Sequence, residues 1–423
     1  MRLVPFLLLM YVLAFLDRTN IGFAKQAFQA SVGVSDAAYA FGAGLFFVTY
    51  ALLEIPSNLI MHRVGARIWM ARIMVTWGLT SAALMFARGP ISFYILRALL
   101  GSAEAGFFPG VILYLTYWFP KAYLARVIGL FYFGVPLAFI LGAPLSGFLL
   151  QMHSLGGLQG WQSMFLTEGL LASIVGVWAF FYLDDRPNDA GWLPAVEKQA
   201  LSAVIAHENL GKISLGLRAV LVNPRVLHFV VIYFLIQVSV YGVIFYLPTQ
   251  VAGLLGMHVG VRVGLVTAIP WICAMAATYF VPQLADRSGK HRGLAAATLA
   301  VSAIGIAVSA TNRPALGIVA LCVAAAAFMA VQPIFWTFPA TYLGGAAAAS
   351  GIALINALGN LGGFVAPNIK NWEEVSFHSS RAGLYVLAGT AFLGSLLILS
   401  LRSGPASTDS SCTAVVKSSD EEF

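Results

Sequence analysis

Residues 3–23 read LVPFLLLMYVLAFLDRTNIGF. The run is apolar over the length of a membrane crossing, for which a helix needs about 20 residues. It nevertheless carries Asp17 and Arg18 side by side in its interior. A charge at bilayer depth costs about 2.5–3.5 kcal/mol on insertion scales, so the pair demands a reason. The rest of the chain supplies the setting. It is 60% hydrophobic and 10% charged, whereas a soluble domain carries about 25% charged residues. Further apolar runs follow at residues 38–60, 68–86, 91–119, 127–150, 163–183, 226–250, 263–284, 294–310, 315–339, 346–367 and 382–401. The fold class predicted is an all-α membrane protein of twelve transmembrane helices in two pseudo-symmetric six-helix bundles. The expected organisation is a first bundle over 1–183, a polar cytoplasmic loop over 184–225, a second bundle over 226–401 and a disordered cytoplasmic tail over 402–423.

Lysine and arginine placement sets the orientation. One side collects most of them, including Arg2, Arg63, Arg67, Arg72, Arg186, Arg225, Arg287, Lys290 and Arg292. The other side holds Lys25, Arg88, Arg262, Arg313, Lys370 and Arg381. Both termini and the central loop are therefore expected in the cytoplasm. The net charge of +7 reflects this topology and does not point to nucleic acid. No small-residue cleavage site follows the first run, so a removed leader is not expected. Cys273, Cys322, Cys412, His153, His258 and His378 show no metal-ligand spacing, and no phosphate-loop motif is present. No cofactor, metal or catalytic residue is expected, and the chain does not read as an enzyme.

The two halves echo each other. His62-Arg63-Val64-Gly65-Ala66-Arg67 follows the second run, and Asp286-Arg287-Ser288-Gly289-Lys290-His291-Arg292 follows the eighth. Gly142-Ala143-Pro144 in the fifth run has a counterpart in Gly362-Gly363-Phe364-Val365-Ala366-Pro367 of the eleventh, at a matching offset. Two similar six-span halves suggest alternating access, with a site between them near the midplane.

The intramembrane charges are the candidate site. Arg97 and Glu104 are seven residues apart, which places them on one helix face two turns from each other. Ala98, Ser102, Gly106 and Gly110 form a small-residue ridge on the opposite face, suited to close packing. A guanidinium stays charged and suits bidentate clamping of a carboxylate. A carboxylate in a dry site binds and releases a proton more readily near neutral pH than one in water. Arg18 and Arg97 are thus expected to attract a substrate anion, while Asp17 and Glu104 carry coupling protons, all four around one hollow. The competing reading is a pair of buried ion pairs that only hold helices together. Glu54 and Glu168 are expected to be structural, Glu54 through loop cations such as Arg63 or Arg67.

At this point the residues resemble the major facilitator superfamily. Arg63-x-Gly65-x-Arg67 and Asp286-Arg287-x-Gly289-Lys290 are similar to its cytoplasmic loop signature, although His62 stands where the signature usually has Asp. More closely, the chain resembles the anion:cation symporter family, which includes bacterial tartrate, phthalate, hydroxyphenylacetate and sugar-acid permeases. The resemblance rests on Leu16-Asp17-Arg18-Thr19-Asn20-Ile21-Gly22-Phe23-Ala24, Glu54-Ile55-Pro56-Ser57-Asn58, Arg97 through Gly110, and Ala353 through Gly363. It implies a monomer in the bacterial inner membrane that imports a small organic carboxylate with H+ as coupling ion. It also implies pocket roles for Tyr50, Trp336 and Asn356, and conformational roles for Arg63, Gly65, Arg67, Asp286, Arg287 and Gly289. Gln237 and Tyr241 are further candidate lining residues. Phe133-Gly134-Val135-Pro136 stands where sugar-acid members present a polar residue. That argues against a heavily hydroxylated substrate, or for one read by other helices. An anion exchanger or uniporter using the same pocket is the alternative, ahead of a channel or a membrane enzyme.

Overall fold

The computed structural model describes residues 2–152, 157–209, 222–311, 313–342, 345–377, 379 and 381–401. The predicted tail, 402–423, lies outside the described residues, as do His153, His378 and 210–221 of the central segment. Twelve helices are long and apolar enough to cross a membrane, and no strand occurs among the described residues. The first three spans are Leu3–Val32, Asp36–Val64 and Ala66–Ala83. The fourth is broken into Pro90–Glu104 and Phe107–Trp118, and the fifth into Lys121–Tyr132 and Gly134–Gln151. The sixth is Gly160–Tyr182, the seventh Pro224–Leu255, the eighth Val261–Ser288, the ninth His291–Ser309 and the tenth Pro314–Tyr342. The eleventh is broken into Gly345–Asn360 and Gly362–Ser376, and the twelfth is Ala382–Leu399. Between the sixth and seventh spans the polar segment holds a helix of its own, Ala195–Asn209.

Packing repeats with a period of six spans. In the first half the third span lies on the sixth, the second on the fourth, and the first on the fifth and sixth. In the second half the ninth lies on the twelfth, the eighth on the tenth, and the seventh on the eleventh and twelfth. Apolar side chains such as Leu52, Ile91, Phe181 and Val319 face outward, where a bilayer covers them without cost.

The repeated basic loops explain part of this symmetry. Arg67 donates from Nε to the carbonyl of Phe180 at 2.5 Å, and Arg292 donates from Nη1 to the carbonyl of Leu401 at 2.7 Å. Each arginine satisfies a carbonyl at the end of the last span of its half, a group with no partner inside its own helix. In the first loop Gly65 has φ of 101°, and a Cβ there would stand 2.8 Å from the Asp185 carboxylate. That carboxylate accepts from the Arg67 amide at 2.8 Å. Gly289 repeats the left-handed turn with φ of 64°. Arg63 and Arg287 are exposed, and the side chains of His62 and Asp286 are outside the described ones.

The halves meet along a seam built on small residues. The second span crosses the eleventh, the fifth crosses the eighth, and the first runs beside the seventh. A Cβ on Gly44 would lie 2.9 Å from the backbone of Phe364, and one on Gly264 would lie 2.3 Å from the carbonyl of Ala143. These contacts are symmetry mates: second span on eleventh, eighth on fifth. Both lie toward the face opposite the termini. Gly264→Leu forces side-chain carbons into the Ala143 carbonyl, and overpacking of this kind costs about 1–3 kcal/mol. The expected outcome is a lower melting temperature in detergent. A cysteine placed at Ile244 should also be labelled faster in a background lacking Cys273, Cys322 and Cys412. Unchanged melting and labelling would show that the seam tolerates a side chain.

Candidate functional site

Consecutive residues on an α-helix point about 100° apart, and this decides the fate of the Asp17–Arg18 pair. Asp17 turns to the third span. Its Oδ2 accepts from Trp77 Nε1 at 2.6 Å, and its Oδ1 accepts from Ser81 Oγ at 2.8 Å and Asn20 Nδ2 at 3.3 Å. Arg18 turns to the fourth span and the midline. Its Nε donates to Glu104 Oε1 at 2.7 Å, and its Nη2 stands 2.5 Å from the same oxygen. Its Nη1 donates to Tyr241 Oη across the midline at 3.4 Å. The guanidinium lies 5.0 Å from the Phe15 ring centre and 5.1 Å from that of Tyr50, within cation–π range.

The break in the fourth span fixes Glu104. The helix Pro90–Glu104 stops there, and Gly106 turns the chain with φ of 86°. A Cβ on Gly106 would stand 2.4 Å from Ser57 Oγ, so both the backbone angle and the space require glycine. Gly106 and Gly110 of the predicted ridge pack closely on Ser57 and Met61 of the second span, the same span that Arg97 meets, so the ridge is not the separate face expected. Gly101 joins them against Phe46. Glu104 thus ends a helix whose last carbonyls carry partial negative charge, a location that favours the Arg18 cation.

A central cavity of about 40 Å³ lies between the halves, lined by residues of the first, second, fourth, fifth, seventh, tenth and eleventh spans. That is room for a few water molecules. Arg18, Tyr50, Gln237, Tyr241 and Asn356 all line it. Arg18 is the one cation on its wall among the described residues, and Glu104, 0% exposed, sits sealed behind it.

Three of the four expected charges do not line the cavity: Glu104 sits behind Arg18, and Arg97 and Asp17 lie further off. Arg97 does not reach the cavity. It donates from Nε to the carbonyl of Gly42 at 3.3 Å and from Nη2 to that of Ala43 at 2.9 Å. It lies two turns from Glu104 on the same face, where the second span closes against the fourth: a Cβ on Gly101 would be 2.1 Å from the Phe46 carbonyl. Asp17 is also sealed, inside the first half. Both its oxygens accept from neutral donors. The common hollow for all four charges is therefore corrected to one cation–acid pair, Arg18 and Glu104, framed by Arg97 and Asp17. Trp336 is corrected too: it packs behind the cavity wall, 4.8 Å ring to ring from Tyr233.

Glu54 departs from its expected loop pairing. It is buried, and its Oε1 accepts from Asn356 Nδ2 at 2.9 Å across the two halves. Glu168 accepts from Ser146 Oγ at 2.7 Å within the first half. Glu54, Glu104 and Glu168 each keep an Oε2 with no hydrogen-bond donor among the described residues, a place where a proton can sit. Sequence reasoning missed Tyr233, Asn360 and Gln332 on the wall. The first two were findable, because Tyr233 precedes Gln237 by one turn and Asn360 follows Asn356 by one turn. Gln237 Nε2 donates to Asn360 Oδ1 at 2.8 Å. Among the described residues no three His, Cys, Asp or Glu side chains gather as a metal site would require.

The sequence model of the Major Facilitator Superfamily matches residues 7–367. The chain belongs to the Major Facilitator Superfamily. Inner membrane transport protein RhmT of Escherichia coli (strain K12) is 51% identical over 401 residues, which cover 95% of this chain and 94% of that protein. A putative tartrate transporter of Agrobacterium vitis is 42% identical over 409 residues, covering 96% of this chain and 90% of the relative. The inward open conformation of the xylose transporter XylE from E. coli shares the fold, with a TM-score of 0.75 at 14% identity over 98% of this chain and 99% of that one. This superfamily member is therefore a multi-pass inner-membrane transporter and not an enzyme.

The geometry separates frame from cavity. Arg97→Met strips the Gly42 and Ala43 carbonyls of their donor and leaves two buried carboxylates short of a counter-charge. Loss of one partner of a buried charge set costs about 3–5 kcal/mol. The expected result is a large fall in melting temperature, with ligand affinity of the folded fraction within about threefold of wild type, because a distant frame residue couples weakly to binding. Arg18→Met should lose affinity as well as stability, because it leaves Glu104 buried without its partner. Equal loss of affinity in both would place Arg97 back at the cavity.

Proposed function

We propose that this transporter imports a small organic carboxylate with protons, by a rocker-switch movement of residues 1–183 against 226–401 about the central cavity. The excess of basic residues on the face that carries the termini supports a cytoplasmic location for both termini and for 184–225. The single observation that carries the reading is Arg18 on the cavity wall, paired with Glu104 sealed behind it.

A substrate carboxylate and Glu104 compete for one guanidinium. While Glu104 is ionised, Arg18 is already neutralised and an incoming anion gains little. A proton on Glu104 removes the competing charge and frees Arg18 for bidentate contact with the substrate. Proton and anion then favour each other's binding, and reciprocity is required by linkage. The second half adds amides and no charge: Gln237, Gln332, Asn356 and Asn360 line the cavity. Such groups suit substrate hydroxyls, which supports a hydroxycarboxylate of the tartrate type, as the name of one relative suggests. They also supply the polar reading that the fifth span, with Phe133-Gly134-Val135-Pro136, lacks.

Proteoliposomes test this with tartrate as probe. Symport gives accumulation under an inward proton gradient, abolished by a protonophore, whereas an exchanger gives uptake only with substrate inside. Glu104→Gln should lose proton-driven accumulation and keep counterflow. Arg18→Ala should weaken binding by at least about tenfold, the worth of one charge-assisted contact. Concentrative uptake at wild-type rate by both variants would refute the assignment.

A further inference from the structure

Glu54 is the buried acid that the Arg18–Glu104 mechanism does not use. It is 1% exposed and lies one turn from Tyr50 on the second span. Its Oε1 has a single donor, Asn356 Nδ2 at 2.9 Å, and its Oε2 has none among the described residues. Asn356 is itself on the cavity wall. One side-chain amide therefore faces two acceptors: the Glu54 carboxylate behind it and whatever occupies the cavity in front. The bond also joins the second span of the first half to the eleventh span of the second, so it spans the parting line of the halves.

We infer that Glu54 is a second proton-coupling residue, linked to substrate through Asn356. When a ligand oxygen turns the Asn356 side chain into the cavity, its Nδ2 swings away and Glu54 Oε1 loses its only donor among the described residues. A buried carboxylate with neither oxygen satisfied is strongly disfavoured. Protonation of the carboxylate removes that charge. The exchange balances: one N–H···O bond passes from Glu54 to the ligand, and one proton passes from water to the carboxylate. None of the other groups near Glu54 donates to its carboxylate among the described residues. Arg18 on the first span is the charged group oriented toward it, and Glu104 already holds that guanidinium. Tyr50, Tyr233 and Tyr241 share the same space, and Asn58 spends its amide on the Glu54 backbone carbonyl at 2.8 Å. Loss of the Glu54–Asn356 bond also unfastens the halves, so occupancy, protonation and parting are tied to one amide.

This inference rests on the proposed proton coupling, and the experiment separates the two. Purified protein in weakly buffered solution is mixed with tartrate, and protons taken up per tartrate bound are read with a pH indicator beside calorimetric binding. Glu54→Gln keeps an oxygen for Asn356 and cannot titrate. Asn356→Ala removes the donor, so Glu54 is already protonated before ligand arrives. Each variant should take up about one proton fewer per tartrate than wild type, by linkage, and the double variant should lose no more than either alone. Either folded variant suffices for the reading. Wild-type uptake unchanged in the variants overturns the role of Glu54 and leaves the Arg18–Glu104 mechanism standing. No proton uptake, or no tartrate binding, by the wild type overturns both.

Discussion

The structure depends on holding a guanidinium and a carboxylate together in a dry membrane core. Removing two charges from water is expensive, and their attraction repays it only when geometry is tight and the surroundings are polar in the right places. Here three spans supply those surroundings. The fourth span ends a helix at Glu104 and turns at Gly106, which brings negative helix-end carbonyls toward Arg18. The second span accepts Arg97 on two carbonyls and places Tyr50 under the Arg18 plane. The third span surrounds Asp17 with an indole and a hydroxyl. The first half is thereby fastened around a single ion pair.

The repeat is followed by the packing and abandoned by the chemistry. Helix neighbours, the loop arginines that end on Phe180 and Leu401, and the glycine contacts at Gly44 and Gly264 all recur in both halves. The cavity wall does not: both halves bring aromatic rings, but the first brings the cation and the second the amides.

Much of this was legible in the sequence, for identifiable reasons. Span number and the two-half repeat follow from hydropathy and from the glycines and basic residues of two loops, which are strong one-dimensional signals. Arg18 and Glu104 were found because charges in apolar runs are costly and therefore conspicuous, whereas Tyr50 and Asn356 came from the family resemblance and Gln237 and Tyr241 were further candidate lining residues. What failed was direction. Treating Asp17 and Arg18 as one unit ignored the angle between neighbours on a helix. Placing Arg97 beside Glu104 ignored how closely the second span approaches at Gly101. Glu54 was assigned to nearby loop cations because its true partner, Asn356, lies 302 positions away in the chain, a pairing that no local pattern carries. The helix break at Gly106 was hidden among other glycines, since only the backbone angle distinguishes a turning glycine from a packing one.

The unequal wall has an evolutionary meaning. If energy coupling resides in the first six spans and substrate reading in the last six, the two properties can drift separately. Changes at Gln237, Gln332 or Asn360 would then retune which molecule is carried while the Arg18–Glu104 pair stays intact. A duplicated scaffold with specialised copies is thus a route by which one ancestral pump diversifies its cargo without reinventing its engine.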